Sequence, residues 1–127
     1  MTVWLSRATV LAIHDEQLVR YSGATGLRDA CLLESALARP HNHDDCAEPD
    51  IAELAALYAL GIVRNPPFVG GNKRTGYAAL ETLLELNGAL FPVSDADAVI
   101  AIWKLAVGDT TDDEFIAWVR SHAAPPP

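Results

Sequence analysis

Lys73 and Arg74 stand side by side directly after Gly70-Gly71-Asn72, where a stretch of helical apolar spacing begins and runs on through Leu80, Leu83 and Leu84. A helix N-terminus carries N–H donors without intrahelical partners and a partial positive charge. Glycine has no Cβ, so its backbone can approach an anion closely. Lys and Arg in a first helical turn oppose the helix dipole, an arrangement that makes sense when an anion is held there. Gly71, Asn72, Lys73 and Arg74 are therefore the candidate phosphate-binding residues. The GxxxxGK[ST] spacing of a nucleotide P-loop is absent, and no strand leads in. A plain Gly-Gly turn with a solvated Lys-Arg pair has the same local pattern, so the loop by itself leaves both readings open.

The charge balance sharpens the question. The chain carries a formal net charge of −8, which argues against direct nucleic-acid binding, since phosphate backbones need a basic face. Positive charge gathered at one loop, with Arg64 one segment earlier, suits a small anion or a phosphorylated ligand. Half of the 127 residues are hydrophobic, which argues for one folded domain over residues 1–127 and against disorder. No apolar run reaches the roughly 18 residues of a membrane span. Met1 to Arg7 lacks the basic start and apolar stretch of a signal peptide. Cys31 and Cys46 show no CxxC spacing, and a reduced, cytoplasmic protein is expected.

About six helices must position the loop. Ser6 caps a first helix carrying Val10, Ile13, Leu18 and Tyr21, which runs into Ser22-Gly23-Ala24-Thr25-Gly26. Asp29 caps a second, with Leu32, Leu33, Ala36 and Leu37, that Pro40 is expected to stop. A polar connection from His41 to Pro49 follows. The third repeats Ile51, Leu54, Ala55, Tyr58 and Ile62 and ends at Pro66-Pro67. The fourth runs from about Asn72 to Asn87 and stops at Gly88. Ser94 with Asp97, and Thr111 with Glu114, read as capping boxes for the last two. Those two are expected to bury Val99, Ile102, Trp103 and Ala106, then Phe115, Trp118 and Val119. Residues 88–93 suit a short extended piece, but no sheet is expected, and residues 123–127 read as a frayed tail. The fold class is all-α.

Around the loop the resemblance is wider. Phe68-Val69-Gly70-Gly71-Asn72-Lys73-Arg74-Thr75-Gly76, the helix that follows it, Ile13-His14-Asp15, Arg20-Tyr21-Ser22-Gly23, Gly26-Leu27-Arg28-Asp29 and the stretch from Leu32 to Pro40 together resemble the Doc (death-on-curing) branch of the Fic/Doc superfamily. These are toxins of type II toxin–antitoxin modules. The Doc loop has the form H-x-F-x-[D/N]-x-N-K-R before a helix. The resemblance implies a Fic/Doc-type bundle with its active-site loop before the fourth helix. It also implies ATP and Mg²⁺ as cofactors and phosphoryl transfer to a hydroxyl of a translation elongation factor. The implied regulator is an antitoxin whose disordered segment folds on binding.

Carried over residue by residue, the resemblance gives Asn72 a phosphate contact, Lys73 and Arg74 the neutralisation of phosphate charge, and Phe68 the anchoring of the loop. Gly23, Gly26 and Arg28 fall in the family's target-docking flap, although a plain helix–helix turn reads equally well there. Two positions depart. The general-base histidine falls on Pro66, and the acidic position on Gly70. Neither can accept a proton or ligate a metal through its side chain. No catalytic residue is assigned, and transfer is expected to be weak or absent. The alternative is a non-catalytic pseudo-toxin that binds nucleotide, antitoxin or another partner.

His41, His43, Asp44, Asp45, Cys46 and Glu48 lie close in sequence. Metal binding there would need convergent geometry that such a connection rarely supplies, and no metal site is assigned. His14 reads as a packed or surface histidine, and the three tryptophans as core or interface residues.

Overall fold

Ser6, Asp50, Ser94 and Thr111 have extended backbones, and each accepts a hydrogen bond from the N–H three residues on. These caps satisfy helix-end donors that would otherwise lack partners. They start α1 (Arg7–Tyr21), α3 (Ile51–Arg64), α5 (Asp95–Val107) and α6 (Asp112–His122). Between them lie α2 (Ala30–Cys46) and α4 (Asn72–Leu86). The computed structural model describes residues 1–46 and 48–125. Among these the fold is all-α, with no strand and two isolated backbone pairings, Leu27 with Phe68 and Leu90 with Ala124. No described helix is long and apolar enough to cross a membrane.

The third helix is the hub. Every residue from Leu54 to Val63 is buried, and α2, α4, α5 and α6 all pack around it. A helix apolar on all sides belongs in the middle of a core. Two glycines set the closest approaches. A Cβ on Gly61 would lie 3.0 Å from the Ala36 backbone of α2, and one on Gly76 of α4 would lie 2.7 Å from a Val63 methyl. The α4 helix stops at Gly88, which takes the left-handed φ of +80° that only glycine adopts readily.

Five expectations need correction. Pro40 does not stop α2, which continues to Cys46 with Pro40 inside it. A proline removes one N–H and crowds the preceding turn, but here it is buried and the turn beyond it is tied down. His41 stacks on Trp4 with ring centroids 3.8 Å apart, and His43 bonds to Glu53 of α3. Residues His41 to Cys46 are thus helix rather than connection, and the His41 and His43 rings go to separate neighbours. Among the described residues no group of three or more His, Cys, Asp or Glu is placed to hold a metal, and the Cys46 side chain lies outside them. The buried stripe of α5 is Ala98, Ile102 and Leu105, so Val99, Trp103 and Ala106 face outward instead. Of the reciprocal capping boxes, only that of Thr111 and Glu114 forms. The tail does not fray throughout, because Ala124 and Leu90 exchange two backbone hydrogen bonds of 2.7 and 2.9 Å. Pro126 and Pro127 lie outside the described residues.

Candidate phosphate-binding site

Where α3 ends, Pro66 and Pro67 turn the chain back toward α1. Phe68 is buried and stacks flat on the His14 ring of α1, with centroids 3.8 Å apart and planes 7° from parallel. His14 is itself only 3% exposed. Its Nε2 lies 2.8 Å from the Gly70 carbonyl, which can only accept, so that nitrogen carries the hydrogen. Asn72 closes the loop from the other side. Its Oδ1 accepts from the Phe68 N–H and its Nδ2 donates to the Phe68 carbonyl, both at 3.0 Å. Gly71 then takes φ +74° and opens α4 without a side-chain cap.

A second segment, residues 22–29, lies along the loop. Pro67 O accepts the N–H groups of Arg28 and Asp29 at 2.7 and 2.9 Å, and Val69 donates to Gly26 O at 3.0 Å. The Arg28 guanidinium donates to the Pro66 carbonyl. Gly23 and Gly26 both have left-handed φ values, of +131° and +107°, which a side chain would oppose. A Cβ on Gly70 would lie 3.3 Å from the Ala24 backbone N and O. The flap backbone thus fills the space a larger residue at position 70 would need.

The two cations separate in role. Arg74 donates to the Ser22 carbonyl at 3.3 Å and lies over the Tyr21 ring, 5.0 Å from its centroid. It clasps the end of α1 while lining a groove of about 550 Å³. Lys73 and Arg20 line the same groove, as do Tyr77, Glu81, Asp95 and Trp103. Burial raises the Glu81 carboxyl above its ordinary range, and nearby Asp95 and Glu85 push it the same way. Burial likewise raises the Tyr77 phenol, reinforced by Glu81 and Asp95.

The structure therefore gathers Gly71, Asn72, Lys73 and Arg74 at one helix mouth, but engages the Asn72 amide with the loop backbone. Phe68 lies in the core behind it, and Gly23, Gly26 and Arg28 lie across it. The donors present do not fit a Mg²⁺ site, since Gly70 brings no oxygen-bearing side chain and both ends of the Asn72 amide are taken. His14 cannot substitute at Pro66 while its Nε2 is bonded to Gly70. The loop-holding pair, His14 and Asn72, was not evident from sequence. A hint was present in the four-residue spacing of Phe68 and Asn72, within reach of a side-chain amide bonding back to the main chain.

A helical bundle with such a loop opening its fourth helix beneath a flap defines a class. The chain belongs to the Fic/DOC family, whose model matches residues 4–84. Within it, the chain is 37% identical over 130 residues to "Toxin Doc" of Mycolicibacterium smegmatis, covering 98% of this chain and 96% of that protein. It is 29% identical over 85 residues to "Protein kinase doc" of Escherichia phage P1, covering 66% and 68% respectively.

Proposed function

We propose that this protein is a Doc-type toxin of a toxin–antitoxin module that holds ATP by its phosphates at the mouth of α4 but transfers phosphate poorly. The observation that carries this is the loop itself. Lys73 and Arg74 stand at an α4 N-terminus with no side-chain cap, while positions 66 and 70 are proline and glycine. The likeness to Toxin Doc across nearly the whole chain supports the toxin assignment and an antitoxin partner. The phage relative, described as a protein kinase, supports phosphoryl transfer as the chemistry.

In that chemistry the γ-phosphoryl group moves from ATP to the oxygen of a protein hydroxyl, ADP leaves, and the hydroxyl proton must be taken up. Charge neutralisation and positioning supply much of the rate, and Lys73 and Arg74 can provide them. Nothing at position 66 can take the proton, and no side chain of the loop can hold Mg²⁺. Loss of a general base alone slows such steps by about 10²–10⁴-fold. The accepting protein by family resemblance is a translation elongation factor, and the antitoxin is a protein with a disordered segment that folds on this chain. A non-catalytic, partner-binding protein is the second reading. It is favoured by His14, the histidine nearest the loop, being bonded to Gly70.

A transfer assay with labelled ATP and the elongation factor tests this, with the double variant Pro66→His, Gly70→Asp alongside. The protein as it stands should label at least about 100-fold more slowly than the double variant; equal rates overturn the impairment. Arg74→Ala should weaken ATP in a titration, and an unchanged affinity would return the loop to a plain turn.

A further inference from the structure

The α5 helix turns only one face to the core, the stripe of Ala98, Ile102 and Leu105. On the side turned away from it lie Ala96, Ile100, Trp103 and Val107, all exposed. Ile100, Trp103 and Val107 are 52%, 54% and 51% exposed although each is a large apolar side chain. Scattered apolar residues on a surface need no explanation, but these four are regular. They are spaced four, three and four residues apart, which is the d–a–d–a rhythm of a seam between two helices. The flanks of the seam are ordered as well. Asp97 and Lys104 follow the two d positions on one side, and Val99 and Ala106 precede the two a positions on the other. These four are exposed too. Among the described residues neither Asp97 nor Lys104 takes part in a salt bridge.

We propose that this face of α5 pairs with the same face of a second copy of this chain, antiparallel about a two-fold axis. In such a pair each a position faces a d position, so Ile100 meets the partner's Trp103 and Ala96 meets the partner's Val107. On one flank Asp97 then lies beside the partner's Lys104, and on the other Val99 lies beside the partner's Ala106. Symmetry makes each contact twice. A parallel pair would set the charged flank of one helix against the apolar flank of the other and leave both charges without a partner. The charge pattern therefore selects the antiparallel copy. From Ala96 to Val107 the seam is about 16 Å long, at about 1.5 Å per residue, so the association is weak and reversible. The formal charge of −8 on each copy opposes it at long range, a repulsion that about 0.15 M salt screens. Pairing requires no phosphate at α4, and either property can fail without the other.

Sedimentation equilibrium of the full chain in about 0.15 M salt, at concentrations up to about 1 mM, tests the pairing. The unaltered protein should show a monomer–dimer equilibrium. Asp97→Lys and Lys104→Asp each set like charges at both flanking contacts, and each should weaken self-association at least about tenfold. Mixed together, the two single variants regain opposite charges across the seam and should form a mixed dimer about as tight as the parent. That recovery also shows that both variants are folded. If the unaltered protein stays monomeric throughout, the pairing is wrong and the face belongs to a different chain. Single variants that associate as strongly as the parent, or a mixture that recovers nothing, overturn the antiparallel seam.

Discussion

His14 and Gly70 are 56 residues apart in the chain and joined by one hydrogen bond of 2.8 Å, from a buried imidazole to a loop carbonyl. The same ring stacks on Phe68. One side chain thereby fixes both the floor and the backbone of the loop that opens α4. His14→Ala should destabilise the fold by about 2–4 kcal/mol, combining a core cavity with a lost hydrogen bond. Thermal unfolding would register this as a lowered midpoint. A midpoint within a degree or so of the parent would show that α1 does not hold the loop.

Gly70 leaves room only for the flap. Gly70→Ala should push on Ala24, whose backbone would lie 3.3 Å from the new Cβ, with overpacking of about 1–3 kcal/mol at most. Hydrogen exchange is the sensitive probe. The amides of Arg28, Asp29 and Val69, which pair loop with flap, should exchange faster, while those in the middle of α3 should not change. An aspartate at position 70 must displace the same segment, so the double variant Pro66→His, Gly70→Asp should also show these faster amides.

Thr75, in the first turn of α4, is fully buried and its hydroxyl has no hydrogen-bond partner among the described residues. An unpaired buried hydroxyl is unfavourable, and replacing it by a methyl of the same shape removes that penalty. Thr75→Val should be neutral or stabilising by up to about 1 kcal/mol in denaturant unfolding. A loss of more than that would mean that the hydroxyl is bonded in solution.

Acid should loosen the junction of α3 and α6. Burial raises the Asp50 carboxyl, but hydrogen bonds from Arg120 and from the Glu53 N–H outweigh it and hold the group below its ordinary 3.8. A carboxylate held low in the folded state stabilises above its unfolded pKa, and that stability is lost as pH falls through the lower folded value. The window is therefore below about pH 4. Arg120→Ala should lower the unfolding midpoint near about pH 7 and converge with the parent below about pH 3. Because the pair is largely exposed, about 0.15 M salt should shrink the difference. A gap that persists in strong acid would assign the effect to packing by the Arg120 stem.

The sequence made much of this visible. Ser6 and Thr111 announce helix starts because their caps are local, needing only residues three apart. Gly88 announces a helix end for the same reason. What escaped depends on contacts distant in sequence. Pro40 looks like a stop until Trp4 and Glu53 secure the turn beyond it. Trp103 looks like core because the apolar residues of α5 suit more than one stripe, and only packing on α3 and α4 selects Ala98, Ile102 and Leu105. At the loop, the types and order of Asn72, Lys73 and Arg74 were plain. That Asn72 turns back on Phe68, and that the Arg74 guanidinium lies over Tyr21, are tertiary facts.

The burial of α3 on every side has a consequence for genetics. Its alanines, Ala55, Ala56 and Ala59, are fully enclosed, so a charged residue at any of them would collapse the bundle that holds the loop. A growth selection for inactive alleles of this protein will therefore return α3 changes alongside changes at the loop. Only alleles whose product still accumulates in soluble form can be used to map chemistry.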